Sequence, residues 1–466
     1  MDILLNFFNA INGVFWGNFM VFVLVGTGIF FSFRLGFPQI LKIKDSFLLV
    51  FGNLKSGEKA DKKGMTSWQS LATAVAGQVG TGNIVGPATA ILAGGPGAVF
   101  WVWLSAFFGM GTIFSEATAA QKYKSTLKDG SVTGGPSFYI KAAFPNTFGK
   151  ALAACFSVFT IVGFGMAAAM IQGNTVSGAM NNSFGIAPWI TGAVLSLVLL
   201  LVAIGGMERI AHTVSTIVPI MAGVYMIFGL IIIIVNIGNL PDAIVSIFKG
   251  AFSPSSLGGG FVGISVRETM RYGVARGLFS NEAGLGSTPH AHAVAKVKHP
   301  CDQGLVAVVS IIIDTFIVLT TSCLIILTSK GYESGKVGIG VVQNSFESVF
   351  GGMGGIIITV TITLFCFSTI IAAYFYGLQN FKNLFGVKSV PVYIVLIIAF
   401  LMFGSVAMVE LVWAFCDTFN GLMVFANLIG LFGVSNIIAK LWREYKTGSS
   451  ALDTTLNDIK KRKAAE

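Results

Sequence analysis

Long apolar stretches dominate this chain. Eleven of them, roughly 13–34, 66–92, 96–121, 150–179, 187–206, 212–237, 264–290, 304–328, 353–378, 391–408 and 411–440, meet or approach the length a helix needs to cross a lipid core, about 20 residues. The last is long enough to be one span running on into an interfacial stretch. Residues 336–350 predict a short amphipathic piece between the eighth and ninth spans. The polar, lysine-rich 447–466 predicts a solvated tail.

The basic residues fall on one side of this layout. With the N-terminus placed outside, twenty-four Lys and Arg lie in the inner loops and tail, and three (Lys249, Lys330, Lys336) lie outside. Arg267, Arg271 and Arg276 fall within the seventh span. A bias this strong predicts the topology, because basic loops stay on the cytoplasmic side. Losing or merging one span would scramble it.

Two spans do not read as continuous helices. "AVAGQVGTGNIVGPATA" (74–90) has Gly77, Gly80, Gly82, Gly86 and Pro87. "GVARGLFSNEAGLGSTPHAHA" (273–293) has Gly273, Gly277, Gly284, Gly286 and Pro289. Gly costs up to ~1 kcal/mol and Pro about 3 kcal/mol in a helix interior, so both runs predict a break. A break at membrane depth frees N–H and C=O groups. These survive only when buried in protein or lining a watered cavity. The new half-helix N-terminus then suits an anion, and the half-helix C-terminus suits a cation.

Taken singly, either run could instead be a close-packing face. Their positions argue otherwise. The first broken span opens a set of five and the second opens the next five, which enters from the opposite side because five is odd. That is the layout of an inverted-repeat transporter. The expected organisation is an extra N-terminal helix and cytoplasmic loop (1–63), a first five-helix repeat (64–240), a second, inverted one (241–440) and a cytoplasmic tail (441–466).

Composition agrees. Apolar residues make up 54% of the 466, with 57 glycines and only 11% charged residues, and mean hydropathy is +0.80. There is too little polar surface to cover a soluble domain, and far too much apolar content for disorder. The net charge of +10 follows from the inner-loop bias, so no nucleic-acid partner is inferred. The five scattered cysteines form no CxxC or zinc spacing and read as free thiols. The first dozen residues carry no Lys or Arg, so no cleavable leader is expected. "GTGNIVG" (80–86) grazes a dinucleotide pattern but lacks the strand and βαβ setting that pattern requires.

Two of the acids inside spans stand out. Asp314 sits mid-span, and a charge at that depth points to function by default: it could carry a proton, assist an ion site or anchor an arginine of the seventh span. Glu282 could hold a substrate ammonium, ligate a cation or pair with Arg276 or Arg271. The ion pair is the favoured reading, since buried charges are normally partnered. His290, His292 and His299 cluster at the inner end of the seventh span without a diagnostic metal spacing.

Several segments resemble those of the sodium:alanine (alanine or glycine:cation) symporters: "GGPGAVFWVWLSAFFG" (94–109), the two glycine-rich runs and "FCFSTIIAAYFYG" (365–377). The resemblance extends over roughly 13–440. It departs at Val102, where the family usually has Met, and at Ala373, where it usually has Trp, which implies a roomier or differently sealed pocket. The family is similar to LeuT-like amino-acid transporters.

That likeness implies an all-α membrane protein with two discontinuous helices. A substrate carboxylate would lie on the amides near Gln78, Thr81 and Gly82. A sodium ion would lie on the carbonyls of Ala76, Val79 and Phe365 and the hydroxyls of Ser368 and Thr369. A possible second sodium site would join Asn83 and Ser280. Phe279 and Asn281 would face the substrate from the second broken span, and Phe164 and Gln172 from the third core helix.

The implied function is sodium-coupled import of small neutral amino acids, alanine or glycine, through the plasma membrane by alternating access. The alternative is a proton-coupled permease of the same fold that uses Asp314 or Glu282. A channel would need a continuous polar lining. An enzyme would need a catalytic set that no span neighbourhood supplies.

Overall fold

A computed structural model describes residues 2–15, 18–52, 64–127, 129–253, 261 and 263–448. Lys55, Lys59, Lys62, Lys63, Lys128 and the tail beyond residue 448 lie outside the described residues.

The apolar stretches become helices packed side by side. Among the described residues, seven helices are long and apolar enough to cross a membrane: Ala98–Lys122, Thr147–Phe184, Gly206–Val235, Pro300–Thr328, Gly352–Phe385, Val387–Val406 and Val409–Gly433. Phe19–Leu35 and Pro188–Ile204 are shorter but equally apolar. Helix Gly206–Val235 leaves Ile220, Ile227, Ile231 and Ile234 exposed. Such a face is stable only where the surrounding solvent is hydrocarbon. Contacts between helices rest on small residues, as expected where lipid removes the hydrophobic drive. On Asn18–Leu35, a Cβ at Gly28 would lie 2.7 Å from the Phe108 carbonyl oxygen.

Both glycine-rich spans are interrupted. The first is Ser67–Gln78 followed by Thr81–Gly94, with Val79 and Gly80 in extended backbone between them. Pro87 lies inside the second half without ending it. The other is Val266–Asn281 followed by Pro289–Ala293. Glu282 (φ 58°), Gly284 (φ 90°) and Gly286 (φ 81°) adopt left-handed backbone in the gap, which glycine accepts at little cost. Each interrupted helix opens with a capping box: Thr66 with Gln69, and Ser265 with Glu268.

Other elements were not legible beforehand. The stretch expected at 13–34 resolves into helices Asp2–Phe15 and Asn18–Leu35. Leu240–Phe252 adds an amphipathic helix with only Ala243, Ile247, Gly250 and Ala251 buried. Ile339–Phe350, by contrast, forms the short helix expected between the eighth and ninth spans. The final span ends at Gly433 and a separate amphipathic helix, Ser435–Lys446, follows. A two-stranded ribbon pairs Ser125–Thr126 with Val132–Thr133. Two long helices wind locally as π-helix, at Thr160–Ala168 and Ile312–Leu319. Such turns often mark functional positions, and these carry Phe164 and Asp314.

Candidate substrate and cation sites

The helix Ser67–Gln78 stops because Val79 turns extended, and helix Gly352–Phe385 passes beside the break. Thr369 Oγ1 donates to the Phe365 carbonyl at 3.1 Å and lies 3.4 Å from the Val79 carbonyl oxygen. Ser368 Oγ donates to the same Phe365 carbonyl at 2.8 Å. Val79, Phe365, Ser368 and Thr369 therefore meet as a cluster of neutral oxygens, all buried. Ala76 is buried in the last turn before the break. Gly80 makes the approach possible: a Cβ there would lie 2.4 Å from Thr369 Oγ1 and 3.0 Å from Gln172 Oε1.

The other side of the break differs from expectation in one respect. The first amide of the second half-helix is occupied. Thr81 N and Thr81 Oγ1 both donate to Gln172 Oε1, at 3.1 and 2.8 Å. Asn83 Oδ1 accepts from Gly80 N at 3.2 Å. A buried amide demands an acceptor, and the glutamine carbonyl supplies it where a carboxylate was expected. Beyond it, the Phe279 ring and the Ser280 backbone lie 3.4 Å from where a Cβ on Gly82 would be.

The two breaks are clasped together. Gln78 Nε2 donates to the Asn281 carbonyl at 2.7 Å. Among the described residues, Gln78 Oε1 and Asn281 Nδ2 are buried with no hydrogen-bond partner, a costly arrangement for a closed core and a suitable one for a site awaiting a polar ligand. Asp314 ties both breaks to the π-turn it sits on. It accepts from Asn83 Nδ2 at 2.7 Å, from Ser280 Oγ at 3.0 and 3.2 Å, and from Thr315 Oγ1 at 2.7 Å. Its partners are neutral donors rather than an arginine of the second interrupted span. Phe164 packs its ring against Tyr376, with centroids 5.3 Å apart, and Phe279 packs against Trp413 at 5.2 Å.

The favoured pairing of Glu282 with Arg276 or Arg271 is not what forms. Glu282 turns inward from its left-handed position and accepts from Ser287. Arg271 lies over its neighbour Tyr272 at 4.6 Å, and Arg276 lies over Trp413 at 5.3 Å. His290 bonds the Ser287 carbonyl and Asn380, and His292 bonds Gln303.

Among the acids that the sequence reading passed over, Glu116 is fully buried. Glu116 accepts from Gly284 N at 3.2 Å and from Asn427 Nδ2 at 2.5 Å, so it secures the freed backbone of the second break. The rule that singles out Asp314, an acid inside an apolar span, would also have found "IFSEATAA".

Two interrupted helices within a bundle of apolar helices, the first break beside a cluster of neutral oxygens, are the architecture of a membrane carrier. The chain belongs to the sodium:alanine symporter family, which matches residues 1–458. It is 38% identical over 437 residues to the sodium/alanine symporter AgcS of Methanococcus maripaludis, a match spanning 92% of this chain and 94% of that one. It is 36% identical over 447 residues to the amino-acid carrier protein AlsT of Bacillus subtilis, spanning 94% and 92%. Among solved structures, MhsT in complex with L-phenylalanine shares the LeuT-like fold, with a TM-score of 0.51 over 81% of this chain and 94% of that one at 15% identity. The family is one of multi-pass amino-acid symporters, not enzymes.

Proposed function

We propose that this protein imports a small neutral amino acid, alanine or glycine, with sodium across the plasma membrane. In this reading eleven spans form two inverted five-helix repeats, 64–240 and 241–440, after the extra N-terminal segment 1–63. The N-terminus faces outside and the tail 441–466 faces the cytoplasm. The support for this topology is the distribution of Lys and Arg along the loops.

The observation that carries the proposal is the meeting of the Val79 and Phe365 carbonyls with the Ser368 and Thr369 hydroxyls beside the first break. Unwound carbonyls at a half-helix end suit a sodium ion, and the adjacent half-helix N-terminus suits a carboxylate. Sodium would sit on these oxygens with the Ala76 carbonyl. The substrate carboxylate would take the Thr81 and Gly82 amides, displacing Gln172 Oε1. The unpartnered Gln78 Oε1 is placed to accept from the ammonium group, and Asn281 Nδ2 to donate to the substrate. Phe164 and Phe279 would wall the pocket.

Asn83 and Ser280, both bonded to Asp314, mark the second cation position. Asp314 adds a carboxyl group there that the sequence likeness did not assign to it. A charge carried inward gains about 2.3 kcal/mol per 100 mV of membrane potential. Rocking the two interrupted helices against their neighbours would expose the site alternately to each side.

The neutral surroundings of Asp314 also favour a second reading, in which it or Glu282 carries a proton instead. Uptake of radiolabelled alanine into proteoliposomes, with sodium replaced by choline, separates the two. Sodium coupling predicts that uptake is lost. Unchanged uptake would overturn it and leave the proton.

A further inference from the structure

The two tryptophans of "FWVWL" (100–104) make different bonds. Trp101 Nε1 donates to the Ala251 carbonyl of the amphipathic helix Leu240–Phe252 at 3.1 Å. Trp103 Nε1 reaches helix Pro300–Thr328 instead and donates to Thr320 Oγ1 at 2.8 Å. The Trp103 ring is backed by Phe248, with centroids 6.2 Å apart.

Thr320 is where the π-turn Ile312–Leu319 closes. Its N–H and its hydroxyl both donate to the Thr315 carbonyl, the hydroxyl at 2.8 Å. A hydroxyl has one proton to give. With that proton spent on the carbonyl, the Thr320 oxygen is left to accept, and an indole N–H can only donate. Thr315 is the next link, since its Oγ1 donates to Asp314 Oδ2 at 2.7 Å. Asp314 accepts from Asn83 of the first interrupted helix and Ser280 of the second, and its own carbonyl accepts from Asn83 Nδ2 at 3.1 Å. Asp314 and Thr315 are both fully buried. A π-turn closes on bonds one residue longer than those of an α-helix, so it fixes the rotation of Asp314 about the helix axis. Undoing the turn would swing the carboxyl away from Asn83 and Ser280.

We propose that Trp103 is a positioning residue for the second cation position. Through Thr320 it holds the π-turn closed and keeps Asp314 aimed at Asn83 and Ser280. The inference rests on the reading above that these three residues mark that position.

Initial rates of radiolabelled alanine uptake into proteoliposomes test it, measured against sodium at saturating alanine and against alanine at saturating sodium. Trp103→Phe keeps an aromatic ring and removes the donor. It should raise the sodium concentration for half-maximal uptake by about fivefold, or about 1 kcal/mol, and move the alanine KM by less than about twofold. Thr320→Val, which keeps the shape without the hydroxyl, should match it. Thr320→Ser, which retains the hydroxyl, should stay within about twofold of the wild type. The double variant Trp103→Phe/Thr320→Val should be no worse than either single one, because members of one bonded chain do not add independently. Trp101→Phe, altered in the same segment but bonded to Ala251, should leave the sodium requirement unchanged. If Trp103→Phe and Thr320→Val both leave that requirement unchanged while Asp314→Asn raises it, the inference is overturned and the second cation position stands. A sodium requirement unaltered by Asp314→Asn would overturn that position, and the inference with it.

Discussion

The two interrupted helices occupy corresponding places in the chain, yet they are built differently. The first break is short, with Val79 and Gly80 between helical turns, and its neighbours are the neutral oxygens of Phe365, Ser368 and Thr369. The second runs from Glu282 to Thr288, needs three left-handed residues, and is held by carboxylates: Glu116 on the Gly284 amide and Glu282 on Ser287. A short break leaves a carbonyl pointing at a pocket and so can hold a cation. A long one frees more backbone than it can satisfy itself and must recruit side chains from other helices. Positional symmetry therefore does not carry over to chemistry: in the proposed reading the first break offers ligands, while much of the second is scaffold.

The sharpest way to break this contrast is Gly80→Ala. Its Cβ would sit 2.4 Å from Thr369 Oγ1 and drive the two helices apart. Sodium-dependent alanine binding should fall by about 100-fold or more, equivalent to about 2.7 kcal/mol, with helical content by circular dichroism unchanged. A variant that binds normally would dissociate the first break from the cation. Glu116→Gln probes the second break. Both carboxylate oxygens accept a hydrogen bond, so an amide nitrogen must face one of the donors. The expected loss is about 2 kcal/mol of stability, read as a lower thermal midpoint in detergent, with the sodium dependence of uptake retained. An altered sodium dependence would show that the second break is more than scaffold.

Thr369→Ala removes one of the neutral oxygens. The sodium concentration for half-maximal uptake should rise by about tenfold, while alanine affinity at saturating sodium moves by less than about twofold. Equal effects on both would mean that Thr369 serves the substrate. The smallest effect is expected from Gln172→Glu, which sets a carboxylate on the Thr81 amide as an internal competitor. Alanine affinity should fall by about fivefold, or about 1 kcal/mol. Unchanged affinity would place the substrate carboxylate elsewhere.

A bulky residue at Gly82 would reach beyond the pocket, because the Phe279 ring and the Ser280 backbone press against that position. It would displace the second break as well as block the first, so Gly80 is the cleaner probe.

Much of the carrier was legible from residues alone. Runs of Gly and Pro in apolar segments marked both breaks, since their helix cost is local and context does not remove it. The capping boxes at Thr66 and Ser265 carry the same kind of local signal and could have fixed where both interrupted helices start. The site residues were less legible. Gln78 and Asn83, Ser280 and Asn281, and Asp314 come from three separate stretches of the chain, and no spacing rule relates those stretches.

The apolar spans, their interruptions and the polar residues available within them follow from the sequence by itself, because each depends on short-range backbone energetics and on the length of a hydrocarbon core. The approach of the Thr369 hydroxyl to the Val79 carbonyl was decided only by tertiary structure, as were the capture of Gly284 by Glu116, the parting of the arginines from Glu282 and the π-turn that carries Asp314. Buried polar groups take whatever partner the packing of distant helices brings within about 3 Å, and that choice is not written in any local stretch of chain.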